Sequence, residues 1–374
     1  MTQNTLKPLI KWPGGKEKEL SYIKSNAPDT FENYYEPFVG GGSVFMTFDA
    51  KRIFINDKST ELMNLYKYIA ARDEEFYDWI DRITEAWRNG LVFVTNNYHL
   101  CDFYKQFRSN EVDEIKVKLK INSFINSQLR KIEKIIPVSF IWQRDFFIAE
   151  VRRCLVYKFK RMKKIECERK MMPESDIYDN IETAFTSAMY SYLRALYNDK
   201  TIKAIIPLST ALFVFLRNYS YSGMFRYNDS GDFNVPYGGI SYNHKTMSSK
   251  MDYYRSSVVM EHFSKTTIEN LDFEVFFKLH QPTERDFIFL DPPYDSEFST
   301  YAQNEFTKDD QKRLADYLCT QCRAKWLIII KYTPYIYSLY NRDGIVIKKF
   351  DKKYVVSFMN RNDKDVEHLI ITNY

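Results

Sequence analysis

The sequence predicts an α/β protein, an open and mostly parallel sheet interrupted by a long, mainly helical insertion. Three observations carry this. Phe287-Ile-Phe-Leu290 is a short apolar run between Asp286 and Asp291, the pattern of a strand buried on both faces. A second strand ends near Glu36 and runs into Gly40-Gly41-Gly42-Ser43, a turn that suits entry into a helix. Between residues 64 and 207 the periodicity turns helical and Gly90 is the single glycine.

The chain has 374 residues, 45% of them hydrophobic, enough to bury a large core and to form two domains. A net charge of +5 permits a polyanionic partner without demanding one. No apolar run reaches membrane-spanning length, and Met-Thr-Gln-Asn-Thr-Leu-Lys at the start lacks a signal-peptide core. A cytoplasmic chain, neither secreted nor membrane-bound, is expected. Five cysteines with no framework point to a reducing compartment. Cys319 and Cys322 make one CxxC in a helical stretch with no second pair, so no zinc or other metal centre is expected.

In chain order, Lys11-Trp12-Pro13-Gly14-Gly15-Lys16 forms a glycine turn with lysines and an aromatic ring. It lacks the spacing of a phosphate-binding Walker loop, and Glu17 to Lys24 predicts a helix. After the strand ending at Glu36, the glycines let the backbone approach a ligand, and Ser43 is placed to start a helix with exposed N–H groups. Ile53-Phe-Ile-Asn-Asp57 is a strand ending in an acid 17 residues past Gly40. An acid there can accept hydrogen bonds from the ribose hydroxyls of a nucleoside cofactor. Phe45 breaks the Gly-x-Gly-x-x-Gly spacing, which favours S-adenosyl-L-methionine over a dinucleotide.

Residues 151–170 hold nine Lys/Arg against two Glu, a basic amphipathic helix that is either a solvated face or a phosphate-contacting surface. Residues 213–239 pass from an apolar start into tyrosines, glycines, asparagines and two arginines. Stacking rings, planar amides and guanidinium forks are the working parts of a nucleic-acid reader; a packed Ω-loop has similar composition. Thr267 to Phe273 predicts a strand ending in a carboxylate and a ring, with Asp272 alternatively a helix N-cap. Thr307 to Cys322 carries an N-cap and an acidic first turn. Strands at 326–331, 344–349, 354–359 and 367–372 follow with little helix between them, a finish that is partly antiparallel.

Asp291-Pro292-Pro293-Tyr294 ends the best-defined strand, because proline supplies no N–H and disfavours helix before it. A carboxylate, a rigid turn and a ring are thereby fixed at the carboxyl end of a strand, where open α/β sheets bind ligands. The corner suits methylation of an exocyclic amine. The amino nitrogen of adenine is a poor nucleophile, since its lone pair is delocalised into the ring. A carboxylate and a turn carbonyl accepting its two hydrogens would direct that lone pair outward, and the tyrosine offers a face for stacking.

Together these segments resemble the Dam-type adenine-N6 DNA methyltransferases. The likeness covers residues 7–66 and about 213–374, through Lys11 to Lys16, Glu36 to Ser43, Asn56-Asp57, Arg226-Tyr227-Asn228, Gly231 to Gly238, Asp291 to Tyr294 and the closing stretch from Asn362. It implies a Rossmann-like, S-adenosyl-L-methionine-dependent sheet formed by residues 1–64 and 255–374. It also implies a target-recognition domain over 65–254, with an extended helical insertion at about 105–205. Trp12, Lys16 and Asp57 would hold the cofactor, with Glu36, Phe38, Gly40, Gly42 and Ser43 beside them and Asp272, Phe273 and Asp291 completing the set. Asp291, Pro292, Pro293 and Tyr294 would be catalytic. Tyr221, Ser222, Met224, Arg226, Asn228 and Pro236 would meet double-stranded DNA, with Tyr221 inserted into the stack and Arg226 on a guanine. A GATC-like target and a cognate restriction endonuclease are the implied site and partner. Ser222 departs from the asparagine that the family commonly has after the inserted ring. Rival readings are adenine in RNA, N4 of cytosine (disfavoured by an aspartate at 291) and a nucleic-acid-binding homologue without activity.

Overall fold

A computed structural model describes residues 6–136, 144–224, 226–294, 306–353 and 365–374. The strand expected over 354–359 and the start of the C-terminal motif, 362–364, lie outside the described residues. The chain divides into two compact units, one made of Met1–Ala71 with Asp252–Tyr374 and the other of Arg72–Met251.

The first unit is built on seven strands: β1 (Asn33–Glu36), β2 (Arg52–Asn56), β3 (Thr266–Glu269), β4 (Phe287–Leu290), β5 (Lys325–Lys331), β6 (Val346–Lys353) and β7 (Asp365–Thr372). Their order across the sheet is β3-β2-β1-β4-β5-β7-β6. The first five run parallel, and β7 lies antiparallel between β5 and β6. This is the Rossmann-like α/β class expected. Every residue of β4 is buried, as are Trp326 to Ile330 of β5. Large apolar side chains of this kind contribute about 1.5–3 kcal/mol each when removed from water. Tyr35 and Phe54 stack across β1 and β2 with centroids 4.6 Å apart.

Register sets what each strand end presents. Glu36 pairs with Ile55, and Leu290 with Ile328, so Glu36, Asn56-Asp57 and Asp291 all fall at the carboxyl edge. Asp286, at the amino end of β4, is spent on structure. It accepts from Asn33 N (3.2 Å), Asn33 Nδ2 (2.7 Å), Thr283 N (2.8 Å) and Thr283 Oγ1 (3.0 Å). The two aspartates flanking one strand thus have opposite fates.

Several local expectations are corrected. No α-helix follows Ser43; a single 3₁₀ turn, Phe45–Thr47, takes its place. Thr47 Oγ1 closes it on the Ser43 carbonyl at 2.9 Å, and Phe48 is already extended toward β2. β3 stops at Glu269, and Asp272 is the N-cap of helix Phe273–His280, accepting from Glu274 N at 3.0 Å. Helix Pro334–Tyr340 separates β5 from β6. Cys322 lies beyond helix Lys308–Thr320.

The second unit is helical. Helix Glu174–Asn198 is buried along much of its length. Helix Arg144–Glu168 buries Phe147, Val151, Leu155, Phe159 and Met162. Many of its cations are bonded within the unit. Arg152 donates to Asn126 (2.6 Å), Lys158 to Asn180 (3.2 Å) and Lys163 to the Phe107 carbonyl (2.6 Å), while Lys160 pairs with Glu114 and Arg153 with Glu150. Among the described residues no helix is long and apolar enough to cross a membrane.

Candidate functional site

At the end of β4 the chain turns through Asp291-Pro292-Pro293-Tyr294, and separate elements hold that turn. Lys16, only 3% exposed, forms an ion pair with Asp291 Oδ2 and donates to the Gly14 carbonyl at 2.8 Å. Its ammonium also stands 5.6 Å from the centre of the Tyr294 ring. The glycine turn makes this reach possible: Gly15 N–H donates to the Trp12 carbonyl at 3.2 Å, and Glu19 N–H to that of Lys16 at 3.0 Å. Lys16, expected on the cofactor, is thus bonded to the carboxylate expected to be catalytic.

Gln311, fully buried in helix Lys308–Thr320, donates Nε2–H to the Pro293 carbonyl at 2.8 Å. His368 on β7, also buried, sets its ring edge-on to Tyr294, centroids 5.6 Å apart at 67°. Neither residue was among the expected site residues. Gln311 carried a signal nonetheless: with Leu314, Ala315 and Leu318 it occupies i, i+3, i+4 and i+7, the core face of an otherwise charged helix.

The glycine motif packs closely. A Cβ at Gly41 would lie 2.7 Å from the Ile10 carbonyl oxygen and 2.9 Å from Trp12 Cβ. One at Gly42, where φ is +79°, would lie 2.5 Å from the Tyr66 hydroxyl. That hydroxyl donates to the Gly40 carbonyl at 2.9 Å. Asp57 accepts from Gly40 N–H at 3.0 Å and Ser59 N–H at 2.9 Å. Asn56 ties the ends of three strands, with Nδ2 on the Pro37 and Leu271 carbonyls (3.1 and 3.0 Å) and Oδ1 accepting from Leu271 N–H (2.8 Å). Ser43 is buried behind the turn.

Burial raises the Glu36 carboxyl well above the usual range; the bond from Tyr34 hydroxyl (2.6 Å) opposes this, while Asp291 and Asp57 add to it. Burial likewise raises Asp57, against the backbone N–H groups that stabilise its charged form. Beside Glu36, the ring of Phe38 meets Phe273 at 5.8 Å and Phe306 at 5.6 Å, and Phe306 too was not anticipated. Asp272 caps its helix and pairs with Arg313 at 3.3 Å.

The remaining expected residues lie on a hairpin of the second unit. Ser220 bridges Tyr237, and Tyr227 bridges Phe233, both antiparallel. Tyr221, Ser222, Met224, Arg226, Asn228 and Pro236 are exposed. Arg226 Nε donates to Asn234 Oδ1 at 2.9 Å. Asn228 Oδ1 accepts from Ser230 N–H (3.1 Å) and Asp232 N–H (2.8 Å), which closes the hairpin end. Asn198 straps the hairpin to helix Glu174–Asn198 by bonds of 2.9 and 3.0 Å to the Phe233 backbone, and Arg194 adds 3.1 Å to Val235 O.

A family model described as D12 class N6 adenine-specific DNA methyltransferase matches residues 12–138 and 158–356. Among curated relatives, the type II methyltransferase M.CviBI of Paramecium bursaria Chlorella virus NC1A is 25% identical, over 99% of this chain and 100% of that protein. The type II methyltransferase M.MjaIII of Methanocaldococcus jannaschii is 24% identical over 99% of each. The DNA adenine methylase of Escherichia coli K12 is 22% identical, over 82% of this chain and 74% of that protein.

Proposed function

The chain belongs to the D12 class of N6 adenine-specific DNA methyltransferases, and from that premise we propose how its residues divide the work. S-adenosyl-L-methionine is the methyl donor, and when bound it supplies an already activated methyl on a cationic sulfur. Residues of the carboxyl edge fit that group. Three carboxylates, Glu36, Asp57 and Asp291, end neighbouring strands, an acidic setting that suits a cation. The absence of side chains at Gly40 and Gly41 lets Trp12 pack directly on the motif's backbone. Trp12, Lys16 and Asp57 would hold the donor, with Asp57 on the ribose hydroxyls, the backbone around Phe38 and Gly40 near the methionine part, and Phe273 with Asp272 at the edge of the adenine.

The target adenine must leave the duplex, which costs a few kcal/mol that stacking on Tyr294 offsets. Lys16 takes Oδ2 of Asp291 and so fixes the plane of the carboxylate. Oδ1 and the Pro292 carbonyl accept the two N6 hydrogens. Asp291 then stabilises the positive charge that grows on nitrogen, and alignment does most of the remaining work. Residues 65–254 act as the target-recognition domain, with the hairpin of Tyr221 to Pro236 on double-stranded DNA, Tyr221 in the stack and Arg226 on a guanine. The target in this reading is GATC-like. A cognate restriction endonuclease is the proposed partner, in keeping with relatives named type II methyltransferases.

One observation carries the reading: a carboxylate at the carboxyl end of a central parallel strand, clamped by a buried lysine beside a tyrosine ring. Asp291→Ala is expected to abolish transfer of labelled methyl to DNA while circular dichroism and DNA binding persist. Near wild-type incorporation in the folded variant would refute it. Digesting the product to nucleosides identifies the methylated base.

A further inference from the structure

Three metal-ligating side chains converge in the unit Arg72–Met251, outside every role assigned so far. Asp179 and Glu182 stand one turn apart on helix Glu174–Asn198. His244 follows Asn243, and Asn243 is anchored on all sides. Its Nδ2 donates to Thr183 Oγ1 (3.0 Å) and the Asp179 carbonyl (3.2 Å), and its Oδ1 accepts from Thr186 (2.9 Å) and Tyr237 (3.0 Å). Its own carbonyl accepts from Trp87 Nε1 at 3.2 Å. The three side chains each bring one donor atom to within 4.8 Å of the others, a spacing that a small side-chain rotation would close on one ion.

One atom of the group is unsatisfied. Glu182 is 3% exposed, and its Oε2 lies 3.0 Å from His244 Nε2, yet that oxygen is buried without a hydrogen bond. With His244 neutral and Nε2 the bare nitrogen, the two lone pairs would face each other at this distance, and a cation off the line between them would relieve that contact. An ion about 2.0–2.2 Å from each donor would see donors 3.0 Å apart at roughly a right angle, an ordinary coordination angle. The His244 side chain is 71% exposed, so water can complete the shell.

We propose that Asp179, Glu182 and His244 bind a divalent transition-metal ion of the zinc or cobalt class. The imidazole argues against magnesium or calcium, which take oxygen donors. The ion would fasten residues 240–245, the exit of the proposed reading segment, to helix Glu174–Asn198.

The test is a titration of cobalt chloride into the chelator-stripped full chain, followed by calorimetry and visible absorption. One saturable site per chain with oxygen–nitrogen d–d bands is expected, along with a rise of several degrees in thermal midpoint. Glu182→Gln and His244→Ala should each lose both signals. His244 is exposed, so its alanine variant keeps the fold, and circular dichroism checks this. No saturable binding would overturn the proposal and leave Glu182 and His244 as a plain ion pair. Binding that survives His244→Ala, or a sulfur-to-cobalt band from the cysteines, would overturn it equally.

Discussion

Gly42→Ala probes how tightly the glycine motif is built. Gly42 has φ +79°, a conformation that costs a residue with a side chain about 1–2 kcal/mol. The added methyl would also stand 2.5 Å from the Tyr66 hydroxyl and 3.3 Å from Phe45 Cδ1. Tyr66 is fully buried and has nowhere to swing. Displacing its hydroxyl forfeits the bond to the Gly40 carbonyl, about 1 kcal/mol. The single variant should therefore lose about 2–3 kcal/mol of stability. Tyr66→Phe removes the hydroxyl at a cost of about 1 kcal/mol and makes room for the methyl. The double variant should then lose about 2–3 kcal/mol instead of the summed 3–4, a coupling near 1 kcal/mol. Urea unfolding gives the four stabilities. Calorimetry with S-adenosyl-L-methionine should show weaker binding in Gly42→Ala and partial recovery in the double variant. Additivity within about 0.3–0.5 kcal/mol would mean that the hydroxyl is not the wall the geometry makes it.

Arg226→Ala should relax sequence choice at one base, costing about 1–3 kcal/mol of discrimination there; an unchanged methylation profile in sequenced DNA would count against its role. Gln311→Leu should be nearly neutral in stability, because Gln311 Oε1 is already buried without a partner and an apolar replacement removes that penalty. Its turnover should nevertheless fall about tenfold, equivalent to about 1.4 kcal/mol, with KM kept, since the Pro293 carbonyl loses its strap; wild-type turnover would show that the turn needs none. Burial lowers the pKa of His262 to about 4, below its unfolded value, so its contribution is fully present above about pH 6.5 and is lost as pH falls toward 4, on the order of 3 kcal/mol. Unfolding measured at pH 7 and 4.5 should show a shallower loss for His262→Gln than for the wild type, and equal losses would exclude His262 as the cause.

The sheet and its acidic corner at Asp291 were legible because their signals are local. An apolar run stopped by two prolines has few other fates, and the register then follows from neighbouring runs of the same kind. What decided the rest was distant in the chain. Asp286 and Asp291 flank one strand and look alike in sequence, but Thr283 and Asn33 claim the first, and Lys16, 275 positions away, claims the second. The expected helix after Ser43 is a single 3₁₀ turn, since the backbone is already extended at Phe48 on its way to β2. His368 gave no sign of its neighbour, since its contact with Tyr294 depends on β7 running antiparallel beside β5. Basic residues at 151–170 suggested a surface for phosphate, yet the acceptors that bond several of them, such as Asn126 and Phe107, lie on other helices.

The charge on the carboxyl edge gives the proposed donor a physical basis that no single motif supplies. Glu36, Asp57 and Asp291 close β1, β2 and β4, which are adjacent. Each acid makes ionisation of Glu36 harder, and burial pushes Asp57 the same way. Lys16 answers part of that charge, pairing with Asp291 and easing ionisation of Glu36, but burial still outweighs it there. A ligand that carries a positive charge into this edge is therefore favoured over a neutral one of the same shape. A sulfonium carries that charge only until its methyl has gone, and the thioether left behind is neutral. In the proposed reading, the same three carboxylates would favour the donor and give less hold on its spent form.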